Sequence, residues 1–456
     1  MNFLVNTDVA IVGGGIAGLV AAARTVELGL RATVIERGSG EDYACNSRFA
    51  GGIYHVCYHD PKSESMVLQK AIADVTKDVS SPELVDAVAN HAGRAVDWLH
   101  AQGVRFVRGP EKWQAWVSAP PRPPSTWLDW KGRGQDVALR TLAGQIAIKG
   151  GEIIRGTRAL SLIMRNECCA GVRVDSGGQQ FDIAARAVVI ADGGFQGNAE
   201  LFRQHIGPEP GSVLQRGAGN GMGDGMRMAQ EAGAALVGLD RFYGHILSRD
   251  ALSNERLWPY PQIDLVAAAA IVVGADGRRF LDESLGGIFI ANALAALNDP
   301  LSATAVFDSA IWERAGKAAQ IPPNPMLEKA GGTLIRSDTL AGLAQAAGLP
   351  IDALERTVSE YNAQFPREGK SMPVVKPPYF AIPLCAGITN TMGGIAIDAH
   401  ARVKRKGGGT IEGLYAAGSA TGGLEGGPQV AYVGGLIKAV VLGLLAAEHI
   451  CRETEA

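Results

Sequence analysis

The sequence predicts an α/β fold, and three stretches predict it. Residues 8–12, DVAIV, form a short apolar β-run that passes into GGGIAGLVAAARTVELG, a glycine turn opening an alanine-rich helix, and then into a second strand, RATVIER. RAVVIADGGFQGN at 186–198 is a buried strand running into a second glycine turn. IEGLYAAGSATGG at 411–423 is a strand running into a third. Strand, turn and helix in that order make the unit from which α/β sheets are built.

The first turn carries G-x-G-x-x-G through Gly13, Gly15 and Gly18, and the second strand ends in Glu36, just over twenty residues after the first glycine. Glycine lets backbone amides at a helix N-terminus, here around Ile16 and Ala17, meet a pyrophosphate, and an acidic residue at that spacing accepts hydrogen bonds from a ribose diol, with Arg37 beside it. Strand, helix and carboxylate all fall where dinucleotide binding needs them. GNGMGDGMRMAQEAGA at 219–234 is a further glycine loop, with Asn220 and Asp224, that opens another helix. One nucleotide approached from several remote loops is how a long flavin dinucleotide is enclosed, so FAD is expected rather than NAD. Glycine is the compositional outlier, with 59 of 456 residues against a usual share of roughly 7%. A large extended ligand approached by backbone explains that excess.

Composition narrows the alternatives. A formal charge of -3 gives no basic field for nucleic acid, and the one short basic run, RVKRKGGG at 402–409, reads as a solvated hairpin. The N-terminus passes almost directly into an apolar strand without a basic run or a small-residue cleavage site, so no signal peptide and a cytoplasmic location are expected. The most apolar segment, 433–450, contains Lys438 and starts on two glycines, which predicts a buried helix rather than a membrane span. Six cysteines show neither metal spacing nor a disulfide framework, and reduced thiols follow; no cysteine cluster offers an iron–sulfur centre and no C-x-x-C-H a haem.

AIVGGGIAGLVAA, NSRFAGG, VVIADGGF, GDGMRMAQEAGA, GRRFLDE, TMGGIAID and GLYAAGSATGG follow one another in this order. On that series the chain resembles the flavoprotein subunits of fumarate reductase and succinate dehydrogenase, with their relatives the 3-ketosteroid dehydrogenases and tricarballylate dehydrogenase. The resemblance implies a Rossmann-like FAD-binding domain built from both chain ends, 1–240 and 376–456, with an inserted α+β capping domain at about 241–375. WPYPQ, IPPNP and FPREGK in that middle region are loop-forming stretches unlike the βαβ signals on either side. Beyond the residues already named, the resemblance implies FAD contacts from Asn46, Ser47, Arg48, Ala50, Gly51 and Gly52, and from Ala159. Ala191, Asp192 and Gly193 follow in the second turn, Gly418 and Ser419 in the third, and Gly435, Leu436 and Ile437 at the start of the last helix. Membrane-bound relatives carry a histidine that binds flavin covalently just before the second conserved Gly-Gly; here ACNSRFAGG has none, so non-covalent FAD is expected.

The substrate end departs from the fumarate-type pattern. RFYGHILS at 241–248 resembles the segment with one substrate histidine, which maps onto His245, whereas GITNTMGG offers Thr389, Asn390 and Thr391 where the second histidine stands. The arginine expected after RFLDE is missing, Glu283 there reads as a structural partner of Arg278 or Arg279, and the arginine two residues before a Gly-Gly pair is replaced by Tyr432. Without a guanidinium, a succinate-like dianion loses its strongest recognition. Tyr432, Tyr243 and His245 are the candidates for polariser and base, with Asn390 or Thr391 in support. The implied chemistry is desaturation of a carbonyl compound, such as a cyclic ketone or a carboxylate, by α-proton abstraction and β-hydride transfer to flavin N5.

IVVGADGRRF at 271–280 reads as a hairpin around Asp276-Gly277 and not as a second dinucleotide fingerprint, so an external electron acceptor is expected. SAPPRPPSTW at 118–127, with tryptophans around it, either lines an apolar pocket or is a packed surface loop. Two other readings remain open: a reductase of an enoate or enone, and a flavin electron-transfer or oxidase-like subunit.

Overall fold

The computed structural model describes residues 3–365 and 369–455; residues 366–368 of the FPREGK stretch lie outside the described residues. A six-stranded sheet runs in the order 402–404, 410–416, 187–190, 9–12, 32–35, 152–154, so strands from both parts of the sequence meet in one layer. From 410–416 onward every neighbouring pair is parallel, and 402–404 adds an antiparallel edge. The strands Val9–Val12, Ala32–Ile35 and Ala187–Ile190 are buried along their whole length, as expected of continuous apolar runs covered on both faces. The helices Ile16–Glu27 and Gly435–Glu455 pack together against this sheet and share one core with it.

A second core lies around the strand Tyr379–Thr391, which pairs with Phe242–Ser248, Thr304–Asp308, Ile335–Ser337 and Leu214–Gln215. The sequence places 379–391 in the return to the nucleotide-binding part. Its residues Phe380, Ala381, Ile382, Leu384, Cys385, Ala386 and Ile388 are buried in the second core, together with Phe202 and Val213 from before residue 241. The strand is thirteen residues long, and local pattern does not reveal which core it joins.

Several expectations are met in the geometry. Residues 402–416 form an antiparallel hairpin. Gly274 donates its N–H to Arg278 O and Gly277 has φ +71, a hairpin turn around Asp276-Gly277. Glu283 is buried, pairs with Arg279 at 2.7 Å and accepts the N–H of Val272. Cys45, Cys57, Cys168, Cys169 and Cys385 are free thiols. Apart from those expectations, among the described residues no helix is long and apolar enough to cross a membrane, and no three or more His, Cys, Asp or Glu are grouped so as to hold a metal ion.

Candidate active site

The strand ends and glycine turns converge on one cleft enclosing about 1940 Å³ of empty space, part of it open to solvent. The glycine turns and the candidate residues Tyr243, His245 and Tyr432 line this same cleft. At the nucleotide end Gly13 leaves its strand with φ +105, and a Cβ there would lie 2.6 Å from Ala191 O. Glu36 is clamped by the N–H groups of Gly14 at 2.8 Å and Gly38 at 2.7 Å, and Ser47 Oγ accepts the N–H of Ile16 at 3.0 Å. Ile16, Ala17, Arg37, Ala159, Ala191 and Gly193 line the same wall with them.

Two asparagines tie the 44–47 segment to its surroundings. Asn46 donates to Thr389 O at 2.6 Å and accepts from Ala218 N–H at 2.8 Å, and Asn220 donates to Ala44 O at 2.6 Å. Asp224 opens its helix and is paired with Arg158 at 2.8 Å, a partner not anticipated from sequence. Ala50, Gly51, Gly52, Gly418, Ser419, Gly435 and Leu436 complete the lining.

The wall fits FAD on observations of its own. Asp192 accepts from Gly225 N–H at 2.7 Å through one oxygen, while its other oxygen and Gln196 Oε1 are buried without a partner. Burial pushes the Asp192 carboxyl up to about 7, against the pull of that N–H. A Cβ at Gly51 or Gly193 would meet nothing within 4 Å, so both open their backbone onto the cleft. The first-turn amides of the helices at Ile16 and Gly435 have no partner inside their own helices. Replacing Gly13 with alanine (G13A) adds backbone strain of about 1–3 kcal/mol to the clash with Ala191. Retained FAD is expected to fall at least about tenfold, read from absorbance of the purified protein, and full retention would contradict this wall.

At the other end Tyr243 and His245, two residues apart on one strand, both line the cleft. The rings of Tyr243 and Tyr432 stack with centroids 3.8 Å apart and planes 15° apart. Tyr432 Oη accepts the N–H of Gly435 at 2.7 Å, the first residue of the last helix. His245 Nε2 lies 3.0 Å from Tyr243 Oη, and His245 Nδ1 lies 2.5 Å from Asp264 Oδ2. Burial holds the His245 pKa below its ordinary value although Asp264 opposes it, and burial raises both tyrosines. His55 stacks on Tyr58 and meets Tyr432 edge-on; burial pushes it down to about 4.

The sequence singles out no arginine for the substrate end. Arg216 and Arg122 both line the cleft, with guanidinium carbons 5.6 Å and 5.3 Å from the centre of the Tyr260 ring. Arg216 is only 8% exposed, donates to Thr389 Oγ1 at 3.0 Å, and keeps a buried Nε without a partner. Burial opposes ionisation of Tyr260, yet Arg122 and Arg216 outweigh it and its pKa lies below the ordinary phenol value. All three sit in irregular stretches, LQRGAGNG, SAPPRPPSTW and WPYPQ, whose partners lie far away in sequence. Only the glycines after Arg216 and the prolines around the other two mark them.

Asn390 also lines the cleft, but four expected residues lie behind its wall. Thr391 is fully buried, with Oγ1 accepting the N–H of Phe195 at 3.3 Å. Gly18 packs on the first turn, where a Cβ would lie 2.0 Å from Gly13 O. Arg48 is buried in an ion pair with Asp136 and over the Tyr43 ring, and Ile437 is in the core. The tryptophans divide: Trp113 lines the cleft, Trp130 packs on Phe49, Trp116 donates to Asp60, and Trp127 is 61% exposed.

The family model of the FAD binding domain matches residues 8–431. An NADH:acrylate oxidoreductase of Vibrio harveyi is 28% identical over 80% of the chain, which spans only 36% of that protein's length. A fumarate reductase (cytochrome) of Shewanella frigidimarina is 24% identical over 98% of the chain and 77% of that protein, and a 3-oxosteroid 1-dehydrogenase of Mycobacterium tuberculosis 28% identical over 71% and 65%. In fold, the chain superposes on 3-ketosteroid delta1-dehydrogenase from Sterolibacterium denitrificans with a TM-score of 0.76 at 20% identity, covering 98% of this chain and 100% of that one. The chain belongs to the FAD binding domain family, as an FAD-dependent oxidoreductase whose relatives include fumarate reductases and 3-oxosteroid 1-dehydrogenases.

Proposed function

We propose that the chain dehydrogenates a small carbonyl compound at the CH–CH bond next to its carbonyl group. The observation that carries this reading is the stacked pair Tyr243 and Tyr432 on the cleft wall beside His245. Because Tyr432 Oη already accepts a backbone N–H, its own proton is left to donate, and a carbonyl oxygen hydrogen-bonded there makes the neighbouring C–H more acidic. Bound FAD supplies the acceptor for the two electrons that leave with the β-hydrogen. Gly13, Ile16, Glu36, Ser47, Asp192 and Gly435 would hold it, in a Rossmann-like unit drawn from 1–240 and 376–456. The second core then acts as a cap, extended beyond 241–375 by the strand 379–391, and carries His245 and Tyr260 over the substrate. An external acceptor takes the electrons from the flavin and completes the turnover.

Arg122 and Arg216 favour substrates bearing a carboxylate, and with them the reverse reaction, reduction of an enoate, is the second reading. Anaerobic addition of saturated ketones and carboxylates to the FAD-loaded protein is expected to bleach its yellow colour. If only enoates or enones react, by reoxidising chemically reduced protein, the second reading replaces the first; exchange with a protein acceptor alone would end both. With a carboxylate substrate, Arg216→Lys is expected to raise KM about tenfold or more, because Lys lacks the bidentate fork. An unchanged KM would remove Arg216 from recognition. Acid denaturation is expected to release all flavin, and colour remaining on the polypeptide would overturn non-covalent binding.

A further inference from the structure

We propose that Asp264 is a positioning residue that fixes the tautomer of His245 and thereby makes Tyr243 the proton acceptor of the site. The proposal rests on the dehydrogenase reading for its chemistry but on hydrogen-bond distances for its geometry. Asp264 opens the helix Asp264–Ala269, and its carboxylate is held from several sides. Oδ1 accepts the N–H of Ile246 at 2.8 Å, and Oδ2 lies 2.5 Å from His245 Nδ1. Behind it stands Gly287, the first residue of the helix Gly287–Ala295, where a Cβ would come within 2.1 Å of Asp264 Cγ.

An ionised carboxylate only accepts hydrogen bonds, so Nδ1 must carry the proton. The ring is neutral, because burial and the nearby Arg216 act against a second proton more strongly than Asp264 favours one. Nε2 is then bare and accepts the O–H of Tyr243 at 3.0 Å. The two stacked tyrosines therefore have opposite commitments. Tyr432 has its oxygen engaged by Gly435 and its proton to give, whereas Tyr243 has its proton engaged by His245 and its lone pairs to offer.

When substrate loses its α-proton, the C–H bond breaks and an O–H bond forms on Tyr243. The former Tyr243 proton moves to His245 Nε2, and the imidazolium is stabilised by Asp264. In the enoate direction the same chain runs backwards and delivers a proton. Burial above all keeps Tyr243 from ionising, with Tyr432, Tyr58 and Tyr260 adding to it and Arg216 opposing. Proton transfer through His245 avoids a free phenolate in that surrounding.

Nitrogen-15 NMR of the FAD-loaded protein, labelled at histidine and assigned with His245→Gln, reads the tautomer directly. The wild-type protein is expected to show protonated Nδ1 and bare Nε2 at His245, and Asp264→Asn to reverse them. With a substrate found by flavin bleaching, Asp264→Asn is expected to lose on the order of 10²–10⁴-fold in kcat with KM and FAD content kept, and Asp264→Glu to recover part of that loss. A protonated Nε2 in the wild type, or turnover in Asp264→Asn within threefold of normal, overturns the proposal. So does a loss of FAD and turnover together in both variants when the wild-type tautomer is also wrong. The wild-type spectrum needs no Asp264 variant and no substrate. If no carbonyl compound reacts, the dehydrogenase reading fails while the tautomer still decides the role of Asp264.

Discussion

Replacing Tyr432 with phenylalanine is expected to lower kcat by about 10²–10³-fold, the usual effect of removing one donor aimed at a developing oxyanion. The aromatic stack on Tyr243 survives in this variant, since only the hydroxyl is lost. FAD content should stay near normal, because the nucleotide wall around Gly13, Glu36 and Asp192 does not depend on Tyr432. The Gly435 N–H loses its partner and turns to water or to ligand. Steady-state kinetics with any substrate that bleaches the flavin measures the change, and turnover within threefold of normal would remove Tyr432 as the polarising group.

The largest effect on stability is expected at Lys438. This side chain sits on the last helix with 2% exposure, paired with Glu425, whose side chain is fully buried at 0%. Glu425 also accepts the N–H groups of Val433 at 3.1 Å and Gly434 at 3.3 Å, so one carboxylate gathers the glycine-rich segment 422–435 at the start of the helix. Lys438→Met leaves that carboxylate buried without its cation, which typically costs about 3–5 kcal/mol. The urea midpoint should drop accordingly. The double variant Glu425→Gln with Lys438→Met removes both charges but keeps an acceptor for the two amides, and should recover most of the loss. A single variant within about 1 kcal/mol of wild type would show that the pair contributes nothing.

The nucleotide end was legible because its signals are local. A turn that must pass under Ala191 O accepts only glycine at position 13, and a carboxylate placed to take the Gly14 amide falls at position 36. The substrate end was legible in part. Tyr243, His245 and Tyr432 meet as their segments suggested, whereas Arg122, Arg216 and Tyr260 come from three loops whose proximity no periodicity encodes. Asp264 was hidden for a related reason: as the first residue of a short helix it has the position of an ordinary helix-start acid. Lys438 interrupts an otherwise apolar helix, and only the fold reveals that its partner lies thirteen residues earlier in the glycine segment.

The central sheet sets strand 410–416 beside 187–190, and the cleft is closed by the turn at 418 and by the helix that starts at 435. During synthesis, at roughly 5–20 residues per second, the first glycine turn emerges tens of seconds before those pieces exist. A ribosome-bound chain shorter than about 435 residues thus has half a grip on its nucleotide. Complete enclosure of flavin must therefore wait for residue 435 and the helix it opens, and the unfinished strand edge at 187–190 is exposed to chaperones or to wrong partners until 410–416 pairs with it.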